Sequence, residues 1–379
     1  MANKYTDMKI CKVTSARDLK DFIELPYSIY KNDPVWVPPL RSEQKSLFNP
    51  EKNPFLFHCD HQLFLLKDKL RIIGRIAAFT DNIAMEFWNE KIGFFGYFEC
   101  INDGNAATLL LNSAKEWLQN KDCIKMRGPW SFVSQEWGMV CEGFSPSPVI
   151  MAPYNPKYYN DLMIGYGLEK IKDLLCWEIS VKDGYRIPER ILSLTDNVQK
   201  RYDIHIRQID MKKYNEEISI LISLSNVCLP QNWGYSPATE AEGQAMARDM
   251  KNVIQPKGVL IAEDNTGRPV GFAIVLPDLN SLLRGLNGRL FPFGFIKLLW
   301  GIPRLKRYRM FAIGVIPEFQ GKAVDSLIYR YLNESIYADD LWMEINYVLE
   351  DNMRMVNAIN KLGAKPLRRY RIYEMQITR

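Results

Sequence analysis

The sequence contains no apolar run of about 18 residues, which is the length that a membrane-spanning helix needs. Its first residues are polar and charged and lack the apolar stretch of a secretory signal peptide. The 7 cysteines never stand two to four positions apart, so the spacing of a zinc knuckle or a redox-active cysteine pair is missing. These absences predict a protein of the reducing cytoplasm.

Histidine is scarce as well, with 3 residues in the chain. His58 and His61 enclose Cys59 and Asp60, and this cluster superficially resembles a metal site. Side chains alternate between the two faces of a strand, so the two histidines are expected on opposite faces. Because no further group of ligands accompanies them, we expect no metal.

Acidic residues are missing from one segment of the chain. The sequence carries 49 Lys and Arg against 44 Asp and Glu, a net charge of +5, and residues 281 to 310 hold seven cations without an acid. The excess of positive charge is therefore local. This distribution argues against the broad basic face of a nucleic-acid-binding protein.

The basic segment belongs to an insertion of residues 278–308, which also contains large apolar side chains such as Phe291, Phe295 and Trp300. Cationic and aromatic side chains together suit an anionic lipid surface, so residues 281–310 are a candidate for peripheral membrane contact. A lid helix that packs over a groove is the alternative. The sequence leaves both interpretations open.

The two halves of the chain follow the same order of predicted elements: two strands around a turn, a third strand, an amphipathic helix and a final strand. A shift of 197 positions places Gly74 on Gly271, and a shift of 196 positions places Gly167 on Gly363. This repeat predicts an α/β fold with two tandem units, each built on a mixed α+β sheet.

The predicted units cover residues 1–179 and 202–379, and residues 180–201 form a linker or connecting helix between them. Both units then have an ordinary domain size. Two irregular stretches, 34–57 and 128–157, are longer than most loops of a compact domain, so we expect them to be functional or to pack as a cover.

The most informative segment is a strand followed by a tight turn and a helix in the second half. The strand ends at Val315, Pro317 stops its hydrogen-bonded ladder, and residues 320–323 turn directly into the helix. Small residues at Gly321 and Ala323 allow a ligand to approach the backbone, and the helix N-terminus favours an anionic group such as a pyrophosphate. An ordinary tight turn is the alternative.

This segment resembles the pyrophosphate loop of the GNAT superfamily of acyl-CoA-dependent N-acyltransferases, with Ala323 in place of a glycine and Asp325 at the next small position. Residues 315–319 fit the family as well. Further strings, among them PVWVPPLRSE, GFFGYFEC and RGPWSF, are similar to a tandem-GNAT family that includes bacterial ceramide synthase. This resemblance extends from about Pro34 to Glu374.

The resemblance implies that the second unit binds acyl-CoA or acetyl-CoA as the acyl donor. The backbone at the end of the strand is then expected to hold the pantetheine arm and to polarise the thioester carbonyl. The implied donor-binding residues are Gly314, Val315, Gln320, Gly321, Lys322, Ala323, Val324 and Asn352. In the first copy, residues 101–104 carry an acid at the equivalent turn, so this unit is expected to be structural or to bind the acceptor.

Transfer of an acyl group from a thioester to an amine requires a base for the amine, a donor to the oxyanion and a proton for the thiolate. Many GNAT enzymes supply that proton from a tyrosine four residues before the helix-ending glycine, where this chain has Ile359. We assign the base to Glu344, which shares one face of a predicted strand with Trp342 and Asn346. A solvated or capping carboxylate is the alternative.

The final strand carries Tyr370 and Tyr373 on opposite faces, and one of them is expected to point towards the thioester. In the irregular stretch of the first copy, Gln135, Glu136 and Tyr154 are candidates for binding the acceptor. Packing between the two domains is the alternative role for that stretch.

Together these features predict an N-acyltransferase that moves an acyl group from a CoA or acyl-carrier thioester to an amine. The family resemblance implies a lipid acceptor, a long-chain sphingoid-like amine. Two alternatives stay open: a small-molecule N-acetyltransferase that uses acetyl-CoA, and a non-catalytic GNAT-like binding protein.

Overall fold

The computed structural model describes residues 7–133 and 136–378. The strands are β1 (Met8–Lys12), β2 (Cys59–Asp68), β3 (Arg71–Asp81), β4 (Ile92–Cys100), β5 (Lys125–Gly128), β6 (Met139–Glu142), β7 (Glu169–Ser180), β8 (His205–Gln208), β9 (Val259–Glu263), β10 (Pro269–Pro277), β11 (Arg307–Val315), β12 (Trp342–Leu349) and β13 (Lys365–Gln376). The α-helices are α1 (Ala16–Ile29), α2 (Arg41–Leu47), α3 (Asn82–Trp88), α4 (Gly104–Gln119), α5 (Tyr158–Tyr166), α6 (Glu189–Tyr202), α7 (Tyr214–Cys228), α8 (Glu240–Met250), α9 (Asn280–Leu283), α10 (Gly294–Gly301), α11 (Val324–Ile336) and α12 (Met353–Leu362).

These elements form two compact units. The first unit takes in the residues up to Asp173, together with Leu283–Leu290 and the C-terminal residues from Arg368. Its strands follow the order β1-β2-β3-β4-β5-β13, and β6 also pairs with β13. The strands β4 and β5 run parallel, whereas the other pairs in this unit are antiparallel.

The second unit consists of Leu174–Leu282 and Phe291–Leu367. Its strands follow the order β7-β12-β11-β10-β9-β8. Here β11 and β12 form the parallel pair, and the remaining pairs are antiparallel. Each unit is thus a mixed sheet that contains one parallel pair, in agreement with the predicted α/β fold.

The two copies exchange their final strands. Along the chain β7 ends the first copy, but it pairs with β12 in the second unit, whereas β13 ends the second copy and pairs with β5 in the first. The ranges expected from the sequence, 1–179 and 202–379, follow the chain and therefore differ from the compact units. Of the two roles expected for residues 180–201, a linker or a connecting helix, the structure has a helix, α6, which buries Ile191 and Val198 in the core of the second unit.

Glycines end the corresponding helices of the two copies. Gly167 follows α5 with a φ of 96°, and Gly363 follows α12 with a φ of 82°. Such left-handed backbone costs glycine little because it has no Cβ atom. Each glycine leads into the final strand of its copy, β7 or β13, as the internal repeat predicts.

Each unit has an apolar core against which one long helix packs. In the first unit α4 buries Ala106, Leu110 and Ala114 against the sheet. In the second unit α11 buries Leu327 and Ile328 in the same way. Apolar residues spaced three and four apart on one face produce this burial. The turns at the N-terminal ends of these helices are therefore held beside β4 and β11.

Within residues 7–133 and 136–378, no helix is both long and apolar enough to cross a membrane. In the same part of the chain, no three side chains among His, Cys, Asp and Glu are grouped so that they could hold a metal ion. The insertion of residues 278–308 forms α9 and α10 between the antiparallel strands β10 and β11.

Candidate active site

The parallel strands β11 and β12 separate before they end. Their register begins with Arg307 beside Trp342 and stops at Met310 beside Ile345, with no further pair along these fully described strands. β11 continues to Val315 and stays paired with β10 on its other side. Because backbone N–H and C=O groups need hydrogen-bond partners, the separated end of β11 offers alternate peptide groups to a ligand.

A β-bulge accompanies this separation. Ile274 and Val275 on β10 are paired with Ala312 and Met310, so Phe311 is the extra residue on β11. A bulge bends its strand and increases the local twist. We attribute the divergence of β11 from β12 to this bulge.

The absence of a side chain at Gly314 allows close packing at the end of β11. A Cβ atom there would lie 2.7 Å from Phe272 Cε1 and 2.8 Å from Cys228 Cβ. Cys228 is the last residue of α7, so the end of this helix rests on the strand. Burial raises the pKa of the Cys228 thiol to about 11, which keeps it protonated and poorly nucleophilic at neutral pH.

The turn after β11 presents backbone N–H groups. Pro317–Phe319 forms a 3₁₀ turn, and the Gln320 side-chain amide donates to the Val315 carbonyl at 3.1 Å. Gly321 has a φ of 79°, and Ala323, with a φ of 59°, precedes α11 without a side-chain cap. The first N–H groups of α11 thus have no capping side chain at this position, and the positive end of the helix borders the turn.

Two cations flank this turn. The Lys322 ammonium lies 4.5 Å from the centre of the Phe319 ring and 5.3 Å from that of Tyr202. Arg354, in the first turn of α12, donates to the Gln320 side-chain oxygen at 3.1 Å. Their charges add to the field of the helix terminus, which suits an anionic group such as a pyrophosphate.

Two of the expected donor-binding residues support the helices around the turn. The Asn352 side chain accepts a hydrogen bond from Met355 N at 3.1 Å and caps α12. Val324 is buried as the first residue of α11. These side chains therefore fix the positions of the two helices that border the turn.

Glu344 lies on β12, in register with Arg309 and close to the point where the strands separate. Its side-chain Oε1 accepts a hydrogen bond from Asn346 Nδ2 at 2.8 Å, and Asn346 Oδ1 accepts one from Arg309 Nε at 2.8 Å. Glu344 is 0% exposed and Arg309 is 1% exposed. The interpretation of Glu344 as a solvated surface carboxylate is therefore wrong, and a permanent positive charge lies one hydrogen-bonded residue away from it.

Further charged groups surround Trp342 on the same face of the sheet. Arg307 donates to Asp278 Oδ2 at 2.6 Å, and its guanidinium lies 3.6 Å from the centre of the Trp342 ring. Trp342 Nε1 donates to Glu178 Oε2 at 2.8 Å. Because Trp342 and Glu344 are two residues apart on β12, their side chains point to the same face. Glu178, which lies on the exchanged strand β7, is thus an acidic residue on this face.

The sequence places Arg307 and Arg309 among the cations of an exposed basic segment, and for these two residues that expectation is wrong. Both belong to β11, where they alternate with the buried Tyr308 and Met310. The period-two spacing that they share with the polar residues of β12 is the sequence signal that identifies them as part of this site.

Tyr370 and Tyr373, one of which is expected to point towards the thioester, lie in the first unit, on β13. Tyr373 donates to Asn160 Oδ1 at 2.7 Å, and burial raises its pKa to about 12. Tyr370 is buried and accepts a hydrogen bond from Arg368. Ile359 is buried on α12 of the second unit. The turn after β11 and these tyrosines are therefore not brought together within one unit.

The residues expected to bind the acceptor also lie in the first unit. Tyr154 donates to Asp33 Oδ2 at 2.7 Å, and its ring meets that of Tyr30 edge to face at 5.8 Å. Burial raises the pKa of Tyr154 above its usual value. Glu136 is half-buried, and Gln135 lies outside the described residues. Tyr154 thus has hydrogen-bonding and packing partners within its own unit.

The first copy lacks the opening that makes the second copy a candidate site. Asp103 accepts a hydrogen bond from Ala106 N at 2.9 Å and so caps α4 with a carboxylate. Trp130 N donates to Phe95 O at 2.9 Å, so the chain after β5 continues along β4. A Cβ atom at Gly96 would lie 1.8 Å from Trp130 O. In the first unit the backbone after β5 thus stays hydrogen-bonded to β4, whereas the pairing of β11 with β12 stops at Met310 and Ile345.

No family model matches the chain. Protein YghO of Escherichia coli is 34% identical over 370 residues, which cover 95% of this chain and 93% of that protein. Bacterial ceramide synthase of Caulobacter vibrioides is 29% identical over 382 residues, which cover 97% of each protein. Both relatives thus match nearly the whole chain, including both copies of the repeat.

Solved structures share the fold. A tandem GNAT protein from the clavulanic acid biosynthesis pathway has a TM-score of 0.59 at 12% identity, covering 98% of this chain and 99% of its own. A GCN5-related N-acetyltransferase from Sphaerobacter thermophilus has a TM-score of 0.55 at 10% identity, with 98% and 96% covered. Identities this low show the fold alone, whereas the full-length relatives show the family. The chain therefore belongs to the tandem-GNAT family of acyl-CoA N-acyltransferases that includes bacterial ceramide synthase.

Proposed function

We propose that the second unit binds a long-chain acyl-CoA in the opening between β11 and β12 and transfers its acyl group to a long-chain amine. The observation that carries this proposal is the early end of the β11–β12 ladder beside the N-terminus of α11. Peptide groups of β11 beyond its pairing with β12 suit the amides of a pantetheine arm, and a positive helix end suits a pyrophosphate. An acyl-carrier protein presents the same arm and is the second donor to test.

Donor binding rests on the residues around this opening. The strand end supplies backbone groups to the pantetheine arm, the turn surrounds the pyrophosphate, and Arg354 adds positive charge beside it. The residues assigned to the donor are Gly314, Val315, Gln320, Gly321, Lys322, Ala323, Val324 and Asn352. Of these, Val324 and Asn352 act by supporting α11 and α12.

Glu344 is the proposed base. The amine nitrogen attacks the thioester carbonyl carbon, a C–N bond forms, and the C–S bond breaks. The proton lost by the amine passes to Glu344, directly or through water. Because Ile359 occupies the position of the family's tyrosine, the thiolate leaves without a protein acid there and takes its proton from water. Asn346 and Arg309 orient the carboxylate through their hydrogen bonds.

The first unit has a supporting role in this proposal. Its backbone after β5 stays hydrogen-bonded to β4, and Asp103 occupies the helix terminus. The hydroxyls of Tyr370 and Tyr373 have partners inside the unit, so the mechanism gives them no step. Glu136 and Tyr154 are retained as acceptor-binding candidates.

A lipid acceptor is proposed on two grounds. The full-length relative from Caulobacter vibrioides is named a bacterial ceramide synthase. The second unit also exposes a group of large apolar side chains on α10, which suits a lipid environment. We therefore propose that the enzyme works in the cytoplasm and meets its acceptor at the inner face of the membrane.

Product mass distinguishes this proposal from its alternatives. The purified full chain is incubated with palmitoyl-CoA or acetyl-CoA and with sphinganine or spermidine. We expect N-palmitoyl-sphinganine as the main product. N-acetylspermidine as the main product would instead favour a small-molecule N-acetyltransferase. No product, together with no heat of binding for either CoA thioester in calorimetry, would favour a non-catalytic protein.

Replacing Ala323 by aspartate should weaken CoA binding. Aspartate tolerates the left-handed backbone of position 323, and its negative charge at the N-terminal end of α11 would repel a pyrophosphate. We expect the dissociation constant for CoA, measured by calorimetry, to rise at least about tenfold. The melting temperature should stay the same or rise, because a negative charge near a helix N-terminus is favourable.

Ala323→Gly is the matched control for this change. Glycine adopts the left-handed backbone of position 323 without strain and adds no charge, so CoA affinity should stay within about twofold of the original. If the aspartate variant binds CoA as tightly as the glycine variant, the pyrophosphate does not lie at this turn.

A further inference from the structure

The second unit exposes a concentrated apolar surface. Six large apolar side chains within ten residues are exposed, from 41% for Phe295 to 80% for Phe291. The six are Phe291, Phe293, Phe295, Ile296, Leu299 and Trp300. Large apolar groups that stay exposed together mark an interaction site more often than isolated ones. We call residues 291–306 the docking surface.

Four of the six side chains lie on one side of α10. At about 100° per residue, Phe295, Ile296, Leu299 and Trp300 fall within an arc of about 140°. Leu298 lies outside this arc and is half-buried against the unit. The helix therefore rests on the unit with one side and presents an apolar stripe on the other.

The docking surface is also basic. Lys297, Arg304 and Lys306 are exposed, and no acid occurs between residues 281 and 310. The two arginines of β11 have partners inside the unit and do not contribute. Every charged side chain within residues 291–306 is thus a cation, and these cations border the apolar stripe.

We propose that the docking surface inserts its apolar side chains into the interface of an anionic lipid bilayer and places its cations among the headgroups. Aromatic side chains, lysine and arginine are favoured at this boundary. A second copy of this chain is a poorer partner for the docking surface, because two-fold pairing would bring the cations of the two copies close together. The inference goes beyond the proposed function, since attachment requires neither donor nor acceptor.

Co-sedimentation of the full chain with vesicles tests this proposal without any substrate. Vesicles of phosphatidylcholine with about a third phosphatidylglycerol are compared with phosphatidylcholine alone. We expect the protein to sediment with the anionic vesicles and less with the neutral ones. Because apolar insertion persists when charges are screened, binding should fall but not vanish at about 1 M salt.

The triple variant Phe293→Ser, Leu299→Ser and Trp300→Ser tests the apolar part of the surface. We expect its partitioning onto anionic vesicles to fall at least about tenfold. Because these side chains are exposed, the circular dichroism spectrum and the melting temperature should not change. Leu194→Ser, which removes an exposed leucine from α6 on the same unit, is the matched control and should bind as the original protein does.

The cations of the docking surface are tested separately. Changing them to glutamine should lower binding to anionic vesicles and leave the weaker binding to neutral vesicles unchanged. The three changes are Lys297→Gln, Arg304→Gln and Lys306→Gln. The matched control removes three exposed lysines elsewhere on this unit, Lys200, Lys212 and Lys213.

Two kinds of result would overturn the proposal. One is absence of sedimentation with either vesicle, or equal sedimentation of the apolar variant and the original protein. The other is a dimer, detected by light scattering, that the apolar substitutions dissociate while no vesicle binding is seen. In that case the surface is an interface between two copies of the chain.

Discussion

A fragment of residues 1–181 should not fold. Its sheet would end at β5, because the strand that pairs with β5 comes from residues 368–376. That strand buries Tyr370, Ile372 and Tyr373 almost completely. Burial of a large apolar side chain contributes about 2 kcal/mol, so the loss of three removes much of the roughly 5–15 kcal/mol by which a domain is stable. Circular dichroism during urea unfolding should show no cooperative transition.

A rearranged fragment is the matched control. Residues 1–173 are joined through a short Gly-Ser linker to residues 368–379, so that β13 follows the first copy directly. The junction is feasible because Arg371 Nε donates to Asp173 Oδ1 at 2.8 Å, which places the two segments side by side. This fusion should unfold cooperatively. If residues 1–181 alone unfold as cooperatively as the fusion, the first unit does not depend on the exchanged strand.

Glu344→Gln should lower the turnover number by about 100-fold or more, because a positioned general base contributes about that much. Glutamine has nearly the same shape and can still accept the hydrogen bond from Asn346, so the fold and the affinity for the donor should be preserved. Turnover is followed by product mass, and the dissociation constant of the CoA thioester by calorimetry. A loss confined to turnover would identify Glu344 as the base.

Glu178→Gln is the control for this experiment. Glu178 is paired with Glu344 across β7 and β12, and its carboxylate accepts from Trp342 Nε1. The same change of charge on the same face should leave turnover within about threefold of the original, since Glu178 is assigned no proton transfer. Equal losses in the two variants would mean that the charge of the face matters and that Glu344 is not the base.

The architecture of each copy is predictable because its signals are local. Gly74 and Gly271 lie in the corresponding strands β3 and β10, and Gly167 and Gly363 end corresponding helices. Alternation in strands, periodicity in helices and left-handed caps each act over a few residues, so they are visible without a structure. The prediction of an α/β protein with two tandem GNAT-like units is confirmed by the fold and by the relatives.

The exchange of the final strands cannot be predicted from the same signals. β7 and β13 are each 12 residues long, follow a helix that ends in glycine, and mix apolar with charged residues. Their local patterns do not show which sheet each strand joins. The choice depends on fit between distant residues, such as Arg371 with Asp173, which are 198 positions apart. A pattern that extends over a few residues contains no such information.

The candidate site shows the same division between local and distant causes. Period-two alternation predicts that Glu344 and Asn346 share a face, and their hydrogen bond confirms it. How far the side chains of that face are buried depends on the elements that cover the face. Those elements are distant from β12 in the sequence. The pattern therefore identifies the polar residues of β12 but cannot show that Arg309 supports them from the interior.

Because the final strands are exchanged, the sheet of the first unit is completed only after the end of the chain has been synthesised. Translation at about 5–20 residues per second delivers β13 about 240 residues after β5, a delay of tens of seconds. During that interval β5 is an open strand edge, which can template pairing with another nascent chain. The yield of this enzyme in a cell should therefore depend on how well that edge is shielded by chaperones before residue 368 emerges.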